Sequence, residues 1–211
     1  MKIYRIWPSG KHIVFNPKNN SNENFYACSF DGSELKDWKP IHLSKREYDE
    51  PMSDDLGEVS FVVGDTPLLT PKAFDVLYPY IKDFAQFWET TTDYGNMYLV
   101  NVINVNDCVN YDESDFVRFK SSGRIMRIDK FVFHKNKIKD IELFKIPDEN
   151  KTYPFVTEGL KNIIEENGLN GFKFELLSEW EVVLKIRNLA DSEALPPLKK
   201  RGDRCGGGEL I

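Results

Sequence analysis

Residues 153–177, YPFVTEGLKNIIEENGLNGFKFELL, form a helix-to-strand unit whose start, stop and destination are all written in side chains. The hydroxyl of Thr157 can accept a hydrogen bond from a free first-turn N–H, and Val156, Leu160, Ile163 and Ile164 then share one face, which predicts an amphipathic helix. Gly168 ends it, because the residue just past a helix commonly takes a left-handed backbone that glycine adopts without steric penalty. Beyond it Phe172, Phe174 and Leu176 alternate with Lys173 and Glu175, the signature of a half-buried strand. Nothing in the unit is a catalytic or ligand-binding device.

Upstream, the segment 66–89, TPLLTPKAFDVLYPYIKDFAQFWE, carries the clearest helix start of the chain. Thr70 is a cap and Pro71 occupies the first helical position, where its missing N–H is no loss. The periodic run predicts helix over 71–88, with Pro79 imposing a kink or a break. Residues 97–105, MYLVNVINV, are apolar on both faces except at Asn101 and Asn104, which predicts a central strand covered on two sides and two asparagines in need of partners. Strands are expected at 116–120, 125–133 and 138–146, and short connections between them favour antiparallel neighbours. Toward the N-terminus, Tyr4 and Ile6 followed by Ile13 and Phe15 around a Pro-Ser-Gly-Lys turn predict a hairpin. A third strand is expected over 25–30, a loop-rich stretch anchored by Trp38 over 31–58, a short strand over 59–63, and a last strand or short helix over 180–186.

The expected fold is α+β, a mostly antiparallel β-sheet packed by two or three helices, with a loop-rich N-terminal lobe. The expected division is 1–65 for that β-hairpin lobe, 66–190 for the α+β core and 191–211 for a flexible tail rich in Lys-Arg and glycine. With 211 residues, 41% of them apolar, the chain has the material for a sizeable core. It contains no apolar run near the roughly 20 residues that cross a bilayer, and the segment MKIYRIWPSGKHIVF lacks the unbroken apolar stretch of a secretory signal. A cytoplasmic location with no membrane partner is therefore expected. Three scattered cysteines, Cys28, Cys108 and Cys205, do not make a disulfide framework and suit a reducing compartment. Asp and Glu outnumber Lys and Arg by 34 to 28, and the resulting charge of −6 argues against nucleic acid and for a basic partner.

Four segments, LLTPKAFDVL (68–77), MYLVNVINVNDCVNYDES (97–114), IELFKIP (141–147) and the 153–177 unit, together resemble a family of bacterial polymorphic-toxin immunity proteins, family eleven, formerly a domain of unknown function. The resemblance spans roughly residues 60–180. It implies a cytoplasmic protein that binds the C-terminal domain of a cognate toxin and blocks it by stoichiometric protein–protein inhibition. It brings no catalytic motif and no cofactor.

Other chemistries are less well supported by the residues. Cys108 with His134 and Asp107 or Asp112 would make a thiol hydrolase only if a base lay beside the sulfur. His12, His42 and His134 lack metal-ligand spacing. Asp112, Glu113 and Asp115 read as a solvated turn, and Asp49, Glu50, Asp54, Asp55 and Glu58 as an exposed acidic loop. Both stretches are also candidate docking surfaces for a basic partner, with Tyr48 and Tyr111 as aromatic anchors. A non-catalytic interaction or scaffold module unrelated to toxins is the alternative reading. Oligomeric state does not follow from the sequence.

Overall fold

The protein is described by a computed structural model that covers residues 1–18, 25, 30–39, 41–47, 55–62 and 66–180. Six strands close into a small barrel: β2 (Val14–Pro17), β3 (His42–Lys45), β4 (Val59–Val62), β5 (Thr66–Leu69), β6 (Ala85–Thr92) and β7 (Gly95–Val102). Around the barrel the order is β2-β3-β6-β7-β5-β4, with parallel contacts between β2 and β4 and between β3 and β6 and antiparallel contacts elsewhere. A separate four-stranded antiparallel sheet runs β10 (Leu143–Phe144), β11 (Phe155–Thr157), β1 (Lys2–Pro8), β12 (Phe172–Glu179). A third element is a hairpin of β8 (Asp115–Arg118) with β9 (Ile125–Lys130). Among the described residues the helices α1 (Pro71–Ile81) and α2 (Glu158–Glu166) complete an α+β fold.

The alternation of side chains sorts the interior into three apolar clusters. Along β7, Met97 and Leu99 join Phe15, Leu43 and Leu68 in one, while Val100 and Val102 turn the other way to meet Leu77 and Ile81 of α1. This is the double coverage that the apolar run at 97–105 predicts. Along the four-stranded sheet, Tyr4, Ile6, Leu143 and Val156 face the cluster that holds both helices, and Ile3, Phe144 and Phe155 face a third cluster with Phe131, Phe133 and Cys108. The period of two thus places this sheet as a wall with a packed core on each side.

Both predicted helix caps form. Thr70 accepts from the Ala73 N–H at the start of α1 and Thr157 from the Leu160 N–H at the start of α2. Each cap hydroxyl also donates to a carboxylate from elsewhere: Thr70 to Glu58, 2.6 Å, and Thr157 to Glu142. Pro79 lies inside α1, exposed and in its last turn, and the helix runs on past it to Ile81 without a break. It stops there, and Phe84 to Trp88, expected as its continuation, belong to the turn and to β6. Eight cross-strand pairs with β7, closed by the Asp93-Tyr94 turn, outweigh the local helical spacing.

Further differences have the same origin. The expected hairpin of Tyr4–Ile6 with Ile13–Phe15 does not form, since β1 pairs with β11 and β12 while β2 pairs with β3 and β4. One continuous sheet becomes a barrel and a wall. The stretch 138–146 contributes only Leu143–Phe144 as strand and otherwise inserts Ile138, Ile141 and Ile146 as separate anchors. Leu176 stands opposite Tyr4 in the regular register but is half exposed, and the register shift of β12 lies just beyond it, between the Tyr4–Leu176 and Ile3–Ser178 pairs, where Leu177 packs into the third cluster. Most of 25–30, and everything expected beyond Trp180 including the tail, lies outside the described residues.

The barrel and the wall are joined at the turn after α2. The Val59 N–H donates to the Asn170 carbonyl, 3.0 Å, and the Glu58 N–H to Asn170 Oδ1, 2.7 Å, while the Ser9 N–H, at the end of β1, holds the turn to the wall through the Gly171 carbonyl, 2.9 Å; a second join lies past β7, where Lys145 bonds Asn104 and Asn106. Gly171 has φ +105° and a side chain there would overlap the Val59 carbonyl oxygen, so only glycine fits. Gly123, at the tip of the β8–β9 hairpin with φ +69°, has open space instead. Gly171→Ala is expected to lose roughly 3 kcal/mol or more in urea unfolding, whereas Gly123→Ala, strained only by its left-handed backbone, loses about 1–2 kcal/mol.

Candidate partner-binding face

Of the predicted docking residues, Tyr111, Asp112, Glu113 and Asp115 fall in one turn that leads into β8. Asn110 builds it. Its carbonyl accepts from the Glu113 and Ser114 N–H groups, its side-chain oxygen accepts from the Asp112 N–H, and its side-chain amide donates to Glu113 Oε1, 2.9 Å. Buried Ser114 pins the turn to the chain just past β9, donating to the Asn110 carbonyl at 2.7 Å and accepting from the Val132 N–H at 3.0 Å. The local sequence folds this way because asparagine mimics a turn with its own side chain.

The turn leaves Asp112, Glu113 and Asp115 exposed, and no Lys or Arg among the described residues comes within ion-pair distance of them. Three like charges so close repel one another and are stable only because water solvates them, which makes them a favourable landing point for cations. Tyr111 supports this face from below. Its hydroxyl donates to Asp148, its ring meets Phe116 edge-on at 6.0 Å, and burial followed by the Asp148 carboxylate pushes its phenol upward, so it remains a donor. Asp148 adjoins Glu149, which pairs with Arg5 of β1, and the Arg5 guanidinium lies over Phe131 and Phe155 at 5.1 and 5.2 Å. Burial raises the Glu149 carboxyl, and the attraction of Arg5 opposes that rise without reversing it. The acidic turn is thereby rooted in the aromatic cluster.

The second predicted stretch is different. Tyr48, Asp49, Glu50 and Asp54 lie outside the described residues. Asp55 is exposed and its carbonyl accepts from the Ile13 N–H, 3.1 Å. Glu58 is committed internally, receiving Thr70 Oγ1 at 2.6 Å and Lys72 Nζ at 2.8 Å, and these bonds hold its carboxyl below its usual range. Among the described residues nothing bonds Asp55 or Glu58 to the 110–115 turn, so the two stretches do not merge into one charged patch. Sequence reasoning missed the structural use of Glu58 and Glu142. The signal was present only as a carboxylate without a helix of its own.

The thiol arrangement does not assemble. Cys108 is fully buried, and burial pushes its thiol up to about 12. His134 meets it through the backbone, its N–H donating to the Cys108 carbonyl at 2.7 Å. Among the described residues no three His, Cys, Asp or Glu side chains gather to hold a metal ion, and no helix is long and apolar enough to cross a membrane.

Comparison with known families adds one match. Residues 88–179 match the immunity protein family (Imm11). No curated protein matches the chain at a significant level. The Imm11 match begins in β6 and ends with β12, so it takes in three of the four segments that carry the resemblance and leaves out LLTPKAFDVL. It contains β7, the Asn110 turn, the β8–β9 hairpin, both inward faces of the wall at β10 and β11, and α2.

Two outcomes test this description. Because the folded state depresses the Glu58 carboxyl, its contribution is present above the ordinary value of 4.5 and is lost as pH falls through the depressed one. Glu58→Gln should therefore lower stability near neutrality by about 1 kcal/mol and flatten the decline on acidification, read from urea midpoints against pH. Alkylation of the native protein with iodoacetamide, mapped by mass spectrometry, should leave Cys108 unmodified until denaturant is added; rapid native labelling would contradict its burial.

Proposed function

We propose that this chain is an immunity protein that binds and neutralises a cognate bacterial toxin domain by stoichiometric protein–protein inhibition, in the cytoplasm and without chemistry of its own. The match of residues 88–179 to the immunity family carries the reading. The Asn110 turn lies inside the matched span and offers three carboxylates with no Lys or Arg within ion-pair distance among the described residues. A basic toxin domain is the partner such a surface suits, since charge complementarity accelerates encounter and excludes wrong partners. Neutralisation then follows from occlusion or distortion of the toxin's active surface over an interface of about 1,200–2,000 Å² in total. Asp112, Glu113 and Asp115 are the contacts assigned to this chain, with Tyr111 positioning them.

Co-expression with the adjacent reading frame, followed by tag purification of one partner, should recover both in equal amounts and protect the host cell if that frame encodes the toxin. Asp112→Lys with Glu113→Lys should weaken the complex about tenfold at low salt, equivalent to about 1.4 kcal/mol, and by less at high salt, with the melting temperature as a control for folding. Equal affinity for wild type and variant at low salt would place the contact elsewhere.

A further inference from the structure

We infer that the β8–β9 hairpin and the cleft beside it form a docking site for an acidic, partly apolar segment of a partner protein. Residues 115–130 hold five cations, Arg118, Lys120, Arg124, Arg127 and Lys130, against Asp115 and Asp129, in a chain whose total charge is −6. Arg127 is paired with Asp129 at 2.7 Å, while the other four have no carboxylate within ion-pair distance among the described residues. Concentrating unneutralised cations on one small hairpin of an acidic protein is unfavourable for the isolated chain and favourable once an anion arrives.

The hairpin also displays apolar surface. Phe119 and Met126 are 45% and 44% exposed, although Phe116 and Ile128 of the same strands pack into the core. Arg118 is held ready by its bond to the Gly123 carbonyl, 2.8 Å, and by the Phe116 ring beneath it at 4.7 Å. Between the hairpin and the 147–152 turn lies an open cleft of about 700 Å³, with Phe119 and Ile125 on one wall. Of the acids on the other wall, Glu149 is paired with Arg5, and Asp148 accepts from the neutral Tyr111 hydroxyl and keeps its single negative charge. Arg118, Arg124 and Lys151 outnumber that one carboxylate, so the cleft is cationic on balance.

The occupant is a protein segment and not a nucleic acid. A phosphate backbone repeats its charge evenly and would meet Asp112, Glu113, Asp115 and Asp129 at the root of the same hairpin, whereas a peptide can place carboxylates at the tip and a leucine or phenylalanine in the cleft. Each hairpin strand pairs only with the other among the described residues, so backbone groups on their outer edges can add main-chain hydrogen bonds to an extended segment. The site differs in charge from the Asn110 turn and stands whether or not the partner is a toxin.

The test uses isotope-labelled full-length protein titrated with a peptide alternating Glu and Leu and, separately, with oligothymidylate of equal charge. Saturable amide shifts confined to 118–125 and 147–152 with the peptide, and affinity at least about tenfold weaker in Arg124→Glu with Lys151→Glu, are expected. That pair spares Arg118, whose contacts brace the hairpin, and Arg118→Glu with Arg124→Glu is the second variant. Absence of saturable shifts there would overturn the proposal and leave the cations as edge-strand protection. Equal or tighter binding of oligothymidylate would overturn it in favour of a general anion surface. No toxin enters the measurement, so its failure is separable from failure of the immunity reading.

Discussion

The close passage of Gly171 against the carbonyl of Val59 is the constraint on which the rest of this structure depends. Backbone hydrogen bonds link the barrel side to the wall side at two places, Asn170 against Glu58 and Val59, where Gly171 makes its close approach, and Lys145 against Asn104 and Asn106 just past β7. A left-handed backbone lets the chain leave α2, bond the first residue of β4 and turn into β12 within a few positions. Without that approach the apolar cluster between barrel and wall, which holds Ile6, Phe61, Leu77, Leu160 and Phe172, would not close.

The two helices are fastened by one device used twice. A threonine caps the first turn through its oxygen and spends its proton on a glutamate from a neighbouring segment, Glu58 for α1 and Glu142 for α2. An N-terminus attracts negative charge, so each carboxylate serves both as hydrogen-bond acceptor and as favourable charge near the helix dipole. This explains why Glu58, which looks like part of an acidic loop, is no free ligand for a partner. Burial and charge in one segment are read correctly only when the segment it leans on is known.

Beyond the wall, an aromatic cluster carries the acidic turn and the cationic hairpin. Arg5 lies between Phe131 and Phe155, pairs with Glu149, and through the adjacent Asp148 and Tyr111 steadies the Asn110 turn. The exposed acids of that turn and the cations of the hairpin that follows it are neighbours in sequence and opposite in sign. A surface of this kind distinguishes partners by pattern more than by total charge.

The helix starts at Thr70 and Thr157, the stop at Gly168, the alternation of β12 and the double burial of β7 were legible because each depends on a few neighbouring residues. The acidic turn was legible for the same reason: Asn110 organises it locally. Three matters were not. Residues 84–88 continue a helical spacing yet form β6 because β7 offers a partner along their full length. Tyr4–Ile6 and Ile13–Phe15 look like a hairpin yet enter different sheets, since β1 finds its partners about 150 and 170 residues downstream, from Arg5 with Phe155 to Lys2 with Glu179. Leu176 keeps the face that the alternation gives it, opposite Tyr4, and is nonetheless half exposed, which the pattern of one strand does not reveal. Sequence alone thus determined the elements and their ends, because caps, turns and periodicity act within a turn or two of chain; tertiary structure decided which strands meet and which charges remain free, because those are settled by whichever distant surfaces bury the most apolar area together.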